Sequence, residues 1–276
     1  MANNLKIIVP RPLWRRPKNY SRNIAGNWTD MDDSLRLFSL QQLLAGDELP
    51  AKVRILKAML GLPKGIFEAL DNEQVSVMVA QLDWMTLQPS PVPILESFTH
   101  HGIEYHLPRP NFEDGCAIEF PVADRFLEEY AATNDERELL KLVATLARPL
   151  EHGQRAKLLN RHEAETRAEM LRGLPLEISI AVMLYFVGVK EFVSKSYDKW
   201  LFGSDDDDDN DEFEDADAPK FGWWGAYLGI AENGAFGNYE QVLQTNFHRI
   251  AMFLIEKKKE NNRHKRMMEK QKNDSA

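Results

Sequence analysis

The chain has 276 residues, 43% of them apolar, a single cysteine and a formal net charge of −9. That apolar content can fill a real core, while one cysteine, Cys116, excludes an internal disulfide framework and a CxxC zinc or redox site, as in a reducing cytoplasm. No secretory signal opens the chain, and its most apolar span, Ile178–Val189, is twelve residues long, short of the roughly twenty a membrane-crossing helix needs.

Charge is segregated along the sequence. Ten acids lie between Asp205 and Asp217, and without them 34 basic residues face 33 acidic ones. Residues 1–29 carry Lys6, Arg11, Arg15, Arg16, Lys18 and Arg22 with no acid, and Lys257–Lys272 holds eight bases against Glu260 and Glu269. A neutral body thus has a basic head, an acidic linker and a basic tail, a pattern suited to charged partners and to weak self-association.

Residues 1–29 contain Pro10, Pro12 and Pro17, so an extended basic arm is predicted, anchored by Trp14 and Trp28. The next section, 30–87, is predicted helical. Leu35, Phe38, Leu40, Leu43 and Leu44 form one apolar stripe, and a second helix with Pro50 in its first turn buries Val53, Ile55, Leu56 and Leu60 before Gly61 stops it. Short helices follow around Ile66–Leu70 and Glu73–Leu82. The segment Gln88–Pro93, QPSPVP, is a rigid connector into a second section, 88–204.

In that section Leu95–His100 and Ile103–Leu107 flank His101-Gly102 and read as a β-hairpin, with Ala117–Phe120 as a third strand. Helices are predicted from Pro121, from a Thr133/Glu136 capping box to Pro149, over 161–172, and from Pro175 to Leu201. Only this hairpin region is expected to contain strands. Residues 205–218 bury nothing and read as a disordered tether. Beyond them, 219–259 is predicted to be a helical hairpin: one helix over Trp223–Glu232 and another, capped by Asn238, from Tyr239 to about Lys259. A basic tail, 260–276, completes a mainly α (α+β) chain: a helical body, one small antiparallel hairpin or three-strand element, and a C-terminal helical hairpin.

Motifs for chemistry are absent where they can be sought. His162-Glu163 lacks the second histidine of HExxH, since position 166 is Thr, and there is no GxSxG or glycine-rich phosphate loop. The acid run lacks calcium-loop spacing. His100, His101 and His106, near Cys116, Asp114 and Glu119, match no metal-ligand spacing. Cys116 reads as a structural thiol. Neither cofactor nor catalytic residue is therefore expected, and a non-enzymatic protein is.

Two clusters remain as candidate contact surfaces. Trp223, Trp224, Tyr227, Phe236 and Phe247 would bind a partner or pack a small core. Arg11, Trp14, Arg15, Arg16 and Lys18 mix base and aromatic, as single-strand binders do, although the acidic balance of the whole chain argues against nucleic acid as the main partner. The C-terminal module is too small to stand alone, so it docks on the body around Ile178–Val189 or on a foreign protein.

Two stretches carry a resemblance. FTHHGIEYHLPRPNFEDGCAIEFPVADRFLEEY, with Gly102 and Tyr105 in the hairpin, and IAENGAFGNYEQVLQTNFHRIAMFLIEKK, with Ala231, Glu232, Gly234, Phe236 and Gly237 in its turn, resemble phage and prophage tail assembly chaperones over about Gln88–Lys259. The resemblance implies a cytoplasmic protein of the bacterial host that coats the tape measure protein and helps tail tube subunits polymerise. It also implies that Lys257–Lys259 fits a slippery stretch for frame shifting. This chain is longer than the usual member, and residues 33–82 have no counterpart there, which leaves a virion-associated structural protein as one alternative. A nucleic-acid-associated accessory protein using the basic arm is another. In the chaperone reading, removal of Phe221–Ala276 is expected to leave a folded body that no longer finds its partner.

Overall fold

The computed structural model describes residues 3–9, 18–63, 65–85, 87–158, 160–201 and 222–274. Arg11, Trp14, Arg15 and Arg16 and the acidic segment 205–218 lie outside these residues. The fold is mainly helical, with small antiparallel strand pairs and a helical C-terminal hairpin. It divides into two compact units: 1–88 with 175–184, and 89–174 with 185–276.

The first unit begins with a feature the prolines concealed. Strands β1 (Asn3–Val9) and β2 (Lys18–Ile24) pair antiparallel, Ile7 opposite Tyr20. Pro10, Pro12 and Pro17 lie between the two strands in sequence and outside the described residues. The arm is thus extended, but as a β-ribbon, and strands are not confined to the region after Pro93. Arg22 ties β2 to the helices by donating from Nε to the carbonyl of Leu60 at 3.0 Å.

Helix α1 (Asp33–Leu44) starts where the Asp32 side chain accepts from Leu35 N–H, and α2 (Glu48–Leu60) ends at Gly61, whose φ of 51° closes the last turn. Helix α3 (Asn72–Ala80) begins with a capping box between Asp71 and Gln74. Their inner faces bury Ile55, Leu56, Leu60, Met78 and Val79 with Ile7 and Ile24 of the ribbon. Trp28 meets Trp84 edge to face, ring centroids 5.6 Å apart. Lys52 is buried along its stem yet reaches Glu48 and Asp83 at 2.7 and 3.0 Å.

The second unit opens at the proline-rich segment. Ser90 lies directly against α7 (Leu176–Leu201): a Cβ on Gly188 would sit 2.1 Å from the Ser90 backbone, so only glycine permits this approach. Strands β3 (Ser97–His100) and β4 (Ile103–His106) form the expected hairpin. His101 and Gly102 both have positive φ, 48° and 77°, as a two-residue turn of this hand requires.

The predicted third strand is instead the entry to a helix. Ala117 and Ile118 donate to the carbonyls of Thr245 and Leu243, and α4 (Glu119–Thr133) starts immediately. Helix α5 (Glu136–Leu146) is capped by Asp135, not by the Thr133/Glu136 box, because the Thr133 hydroxyl donates to the Glu129 carbonyl. A short ribbon, β5 (Leu150–Glu151) with β6 (Gln154–Arg155), follows, then α6 (Arg161–Met170). After α7 come α8 (Gly222–Asn233), α9 (Tyr239–Leu243) and α10 (Phe247–Asp274).

The second arm of the C-terminal hairpin is therefore broken at residues 244–246, where the chain turns to pair with residues 115–118. Helix α10 also continues through the expected tail. The hairpin is no separable module: Phe247 is fully buried, stacks on Phe120 at 4.6 Å and meets Phe112 edge to face at 5.8 Å. Removing Phe221–Ala276 takes Phe247 out of this core, so that truncation is expected to destabilise the second unit, which thermal unfolding of the shortened chain would check.

Candidate functional site

The aromatic residues singled out in the sequence separate by burial. Tyr227 and Phe247 have no exposed surface, and the Tyr227 hydroxyl donates to the Ala117 carbonyl at 2.8 Å. Burial in this apolar setting pushes the Tyr227 phenol well above its ordinary range. Both residues are core, which matches the packing alternative for this cluster and takes them out of the contact surface. Trp223 is half-buried against Phe120 and Phe247, at 5.6 and 5.1 Å. Phe236 meets Phe253 edge to face at 5.3 Å. Trp224 alone of the five is exposed, and Leu228, one turn further along α8, is exposed beside it. Lys18 is the first residue of β2.

Helix α10 is two segments in one. From Phe247 to Ile255 its residues Phe247, Ile250, Ala251 and Ile255 are buried. Beyond Ile255 no described side chain is buried. At 1.5 Å per residue the part after Ile255 runs for roughly 28 Å. Its charges are supported locally, by Lys259 with Glu256 at 3.1 Å and Lys257 with Glu260 at 3.0 Å. Met267 and Met268 are more than half exposed in this basic stretch.

A second feature had no signal in the sequence. A cavity of about 770 Å³ opens between β4, the loop before α4, the β5–β6 ribbon and residues 244–246. Its floor holds a buried carboxylate, Glu119, between two guanidinium groups. Arg148 donates to Glu119 Oε1, and Arg155 Nη1 donates to Glu119 Oε2 at 3.1 Å and to the Leu146 carbonyl at 2.9 Å. The Cys116 N–H also donates to Glu119, at 3.2 Å. Glu119 is wholly buried, and the side chains of Arg148 and Arg155 are 2% and 6% exposed.

Burial disfavours the Glu119 charge, but Arg148 and Arg155 overcome it and hold the carboxyl below its ordinary value. For Arg148 burial prevails over Glu119 and depresses the guanidinium, whose Nε and Nη1 find no hydrogen-bond partner among the described residues. Burial also works against Arg155, yet Glu119 and Asp114 keep it above its usual value. The Cys116 thiol, desolvated and next to Glu119, is pushed up to about 12, so it is protonated and a poor nucleophile at neutral pH.

Of the histidines weighed as metal ligands, His100 and His101 have their rings 4.0 Å apart. The His100 ring contacts the Arg172 carbonyl at 3.2 Å, whereas His106 faces Glu104 at 3.6 Å. Among the described residues no three His, Cys, Asp or Glu side chains gather as a metal centre, and no helix is long and apolar enough to cross a membrane. No family model matches the chain, and neither curated proteins nor solved structures give a match.

Proposed function

We propose that this chain is a non-enzymatic protein-interaction factor, a phage or prophage tail assembly chaperone that holds the tape measure protein, the tail tube subunits, or both. The observation that carries the reading is α10, anchored by Phe247–Ile255 and with no described side chain buried after Ile255. A helix that leaves its own core with a basic surface and exposed methionines suits an acidic or amphipathic partner helix, because methionine side chains adapt to irregular apolar surfaces. Trp224 and Leu228 add an exposed apolar pair on α8.

The test is co-expression with the tape measure and tail tube proteins followed by affinity capture. A chain lacking Arg263–Ala276 is expected to keep its thermal midpoint and lose its partner. Retention of the partner by this truncated chain would overturn the assignment to α10. Failure of the full chain to capture either protein would overturn the chaperone reading itself.

A further inference from the structure

We propose that the cavity over Glu119, Arg148 and Arg155 is a binding site for a small molecule bearing an oxyanion, a carboxylate or phosphate group, which completes the charge balance of the two arginines. Three observations carry this. First, the floor places two guanidinium groups against one fully buried carboxylate, an excess of one positive charge in a place shielded from water. Second, two donor atoms bordering the cavity, Nε and Nη1 of Arg148 before β5, are buried without a hydrogen-bond partner among the described residues. Buried groups of this kind are hydrogen-bonded in most folded proteins, so a lining that leaves them open fits a ligand better than a finished core. Third, the space is of the size that takes small ligands, and its walls include Pro93, Leu107, Pro108 and Leu150.

The nearest competitor for the positive charge is Asp114. Its carboxylate lies 3.5 Å from Arg155 Nε and is 39% exposed, so water screens it and it balances the floor only in part. The exposed lining residues Lys157 and Arg109 are matched in charge by exposed Glu96 and Glu113. The mouth therefore does not bar an anion, and the attraction concentrates at the floor. Planar guanidinium forks suit either carboxylate or phosphate oxygens. Cys116 stays protonated there and adds no opposing charge.

The experiment follows the arginine Nε–H signals of the full chain by NMR during titration with succinate and, separately, inorganic phosphate, against sodium chloride at matched ionic strength. Saturable shifts of Arg148 and Arg155 with either anion, and none with chloride, support the site, and the anion that saturates identifies the group it takes. Asp114→Asn keeps an oxygen acceptor while removing the competing charge, so it is expected to tighten binding by about fivefold. Arg155→Lys loses the fork and should weaken binding by about tenfold. Equal responses to all three salts, no saturation, or unchanged affinity in Asp114→Asn would overturn the proposal. Because Asp114 is partly exposed, that variant stays informative even if changes at Arg148 or Arg155 fail to fold. The outcome is independent of partner capture by α10.

Discussion

Two regions of this molecule are built from the same charged side chains and work in opposite ways. Around Glu119, three charges from residues 29 and 36 positions apart meet out of water. Along α10 after Ile255, pairs such as Lys257 with Glu260 lie three residues apart in solvent. In the first setting each partner must be present, because removing one leaves a desolvated charge behind. In the second, any one pair contributes little and salt weakens it further. The difference is one of environment, and it separates what holds the second unit together from what is free to meet a partner.

The strongest way to break this contrast is Glu119→Gln. It leaves both arginines buried without their counter-ion and should lower stability by about 3–5 kcal/mol, read from urea or thermal unfolding. A loss under about 1 kcal/mol would mean that water already reaches the cluster.

A pH series sharpens the same point. The folded value of Glu119 lies below its ordinary 4.5, so its contribution is complete above that pH and disappears as pH falls through the folded value. The thermal midpoint should therefore drop in acid below about pH 4.5. That drop should be smaller in Glu119→Gln, which has no carboxyl to protonate.

The smallest effect belongs to α10. Loss of Arg263–Ala276 should change stability by no more than about 0.5 kcal/mol, since no described side chain there is buried. The circular dichroism signal should fall only by the helix removed. A cooperative loss of the whole fold would show that this stretch belongs to the core after all.

Much of the helical framework was legible because its apolar residues recur at helical spacing: Leu139, Leu140, Val143 and Leu146 of α5 are all buried. The hairpin at His101-Gly102 was legible from its turn chemistry. The β1–β2 ribbon was hidden because Pro10, Pro12 and Pro17 stood out more than the alternation of Leu5, Ile7 and Val9. Ala117–Phe120 looked like strand from its apolar run, yet its backbone pairs with residues 243–245, which no local pattern encodes. The Glu119 cluster was illegible for a related reason. Glu119, Arg148 and Arg155 resemble any surface charges until tertiary structure brings them together. Trp223 to Tyr227 stood out as an aromatic cluster, but sequence alone could not separate the buried Tyr227 from the exposed Trp224.

The join between residues 115–118 and 243–247 has a consequence for how the protein is made. Asn246 Nδ2 donates to the Glu113 carbonyl across 133 positions, and the neighbouring Phe247 fills the aromatic core. A growing chain can assemble the helices α4 to α7 early. It must nevertheless leave the faces of Phe112 and Phe120 that meet Phe247 uncovered until Phe247 has left the ribosome. Closing so long a loop is slow, and open aromatic surface invites aggregation meanwhile. Synthesis that stops before Phe247 would yield a sticky, unfinished second unit, whereas synthesis that stops after Ile255 would yield a folded one.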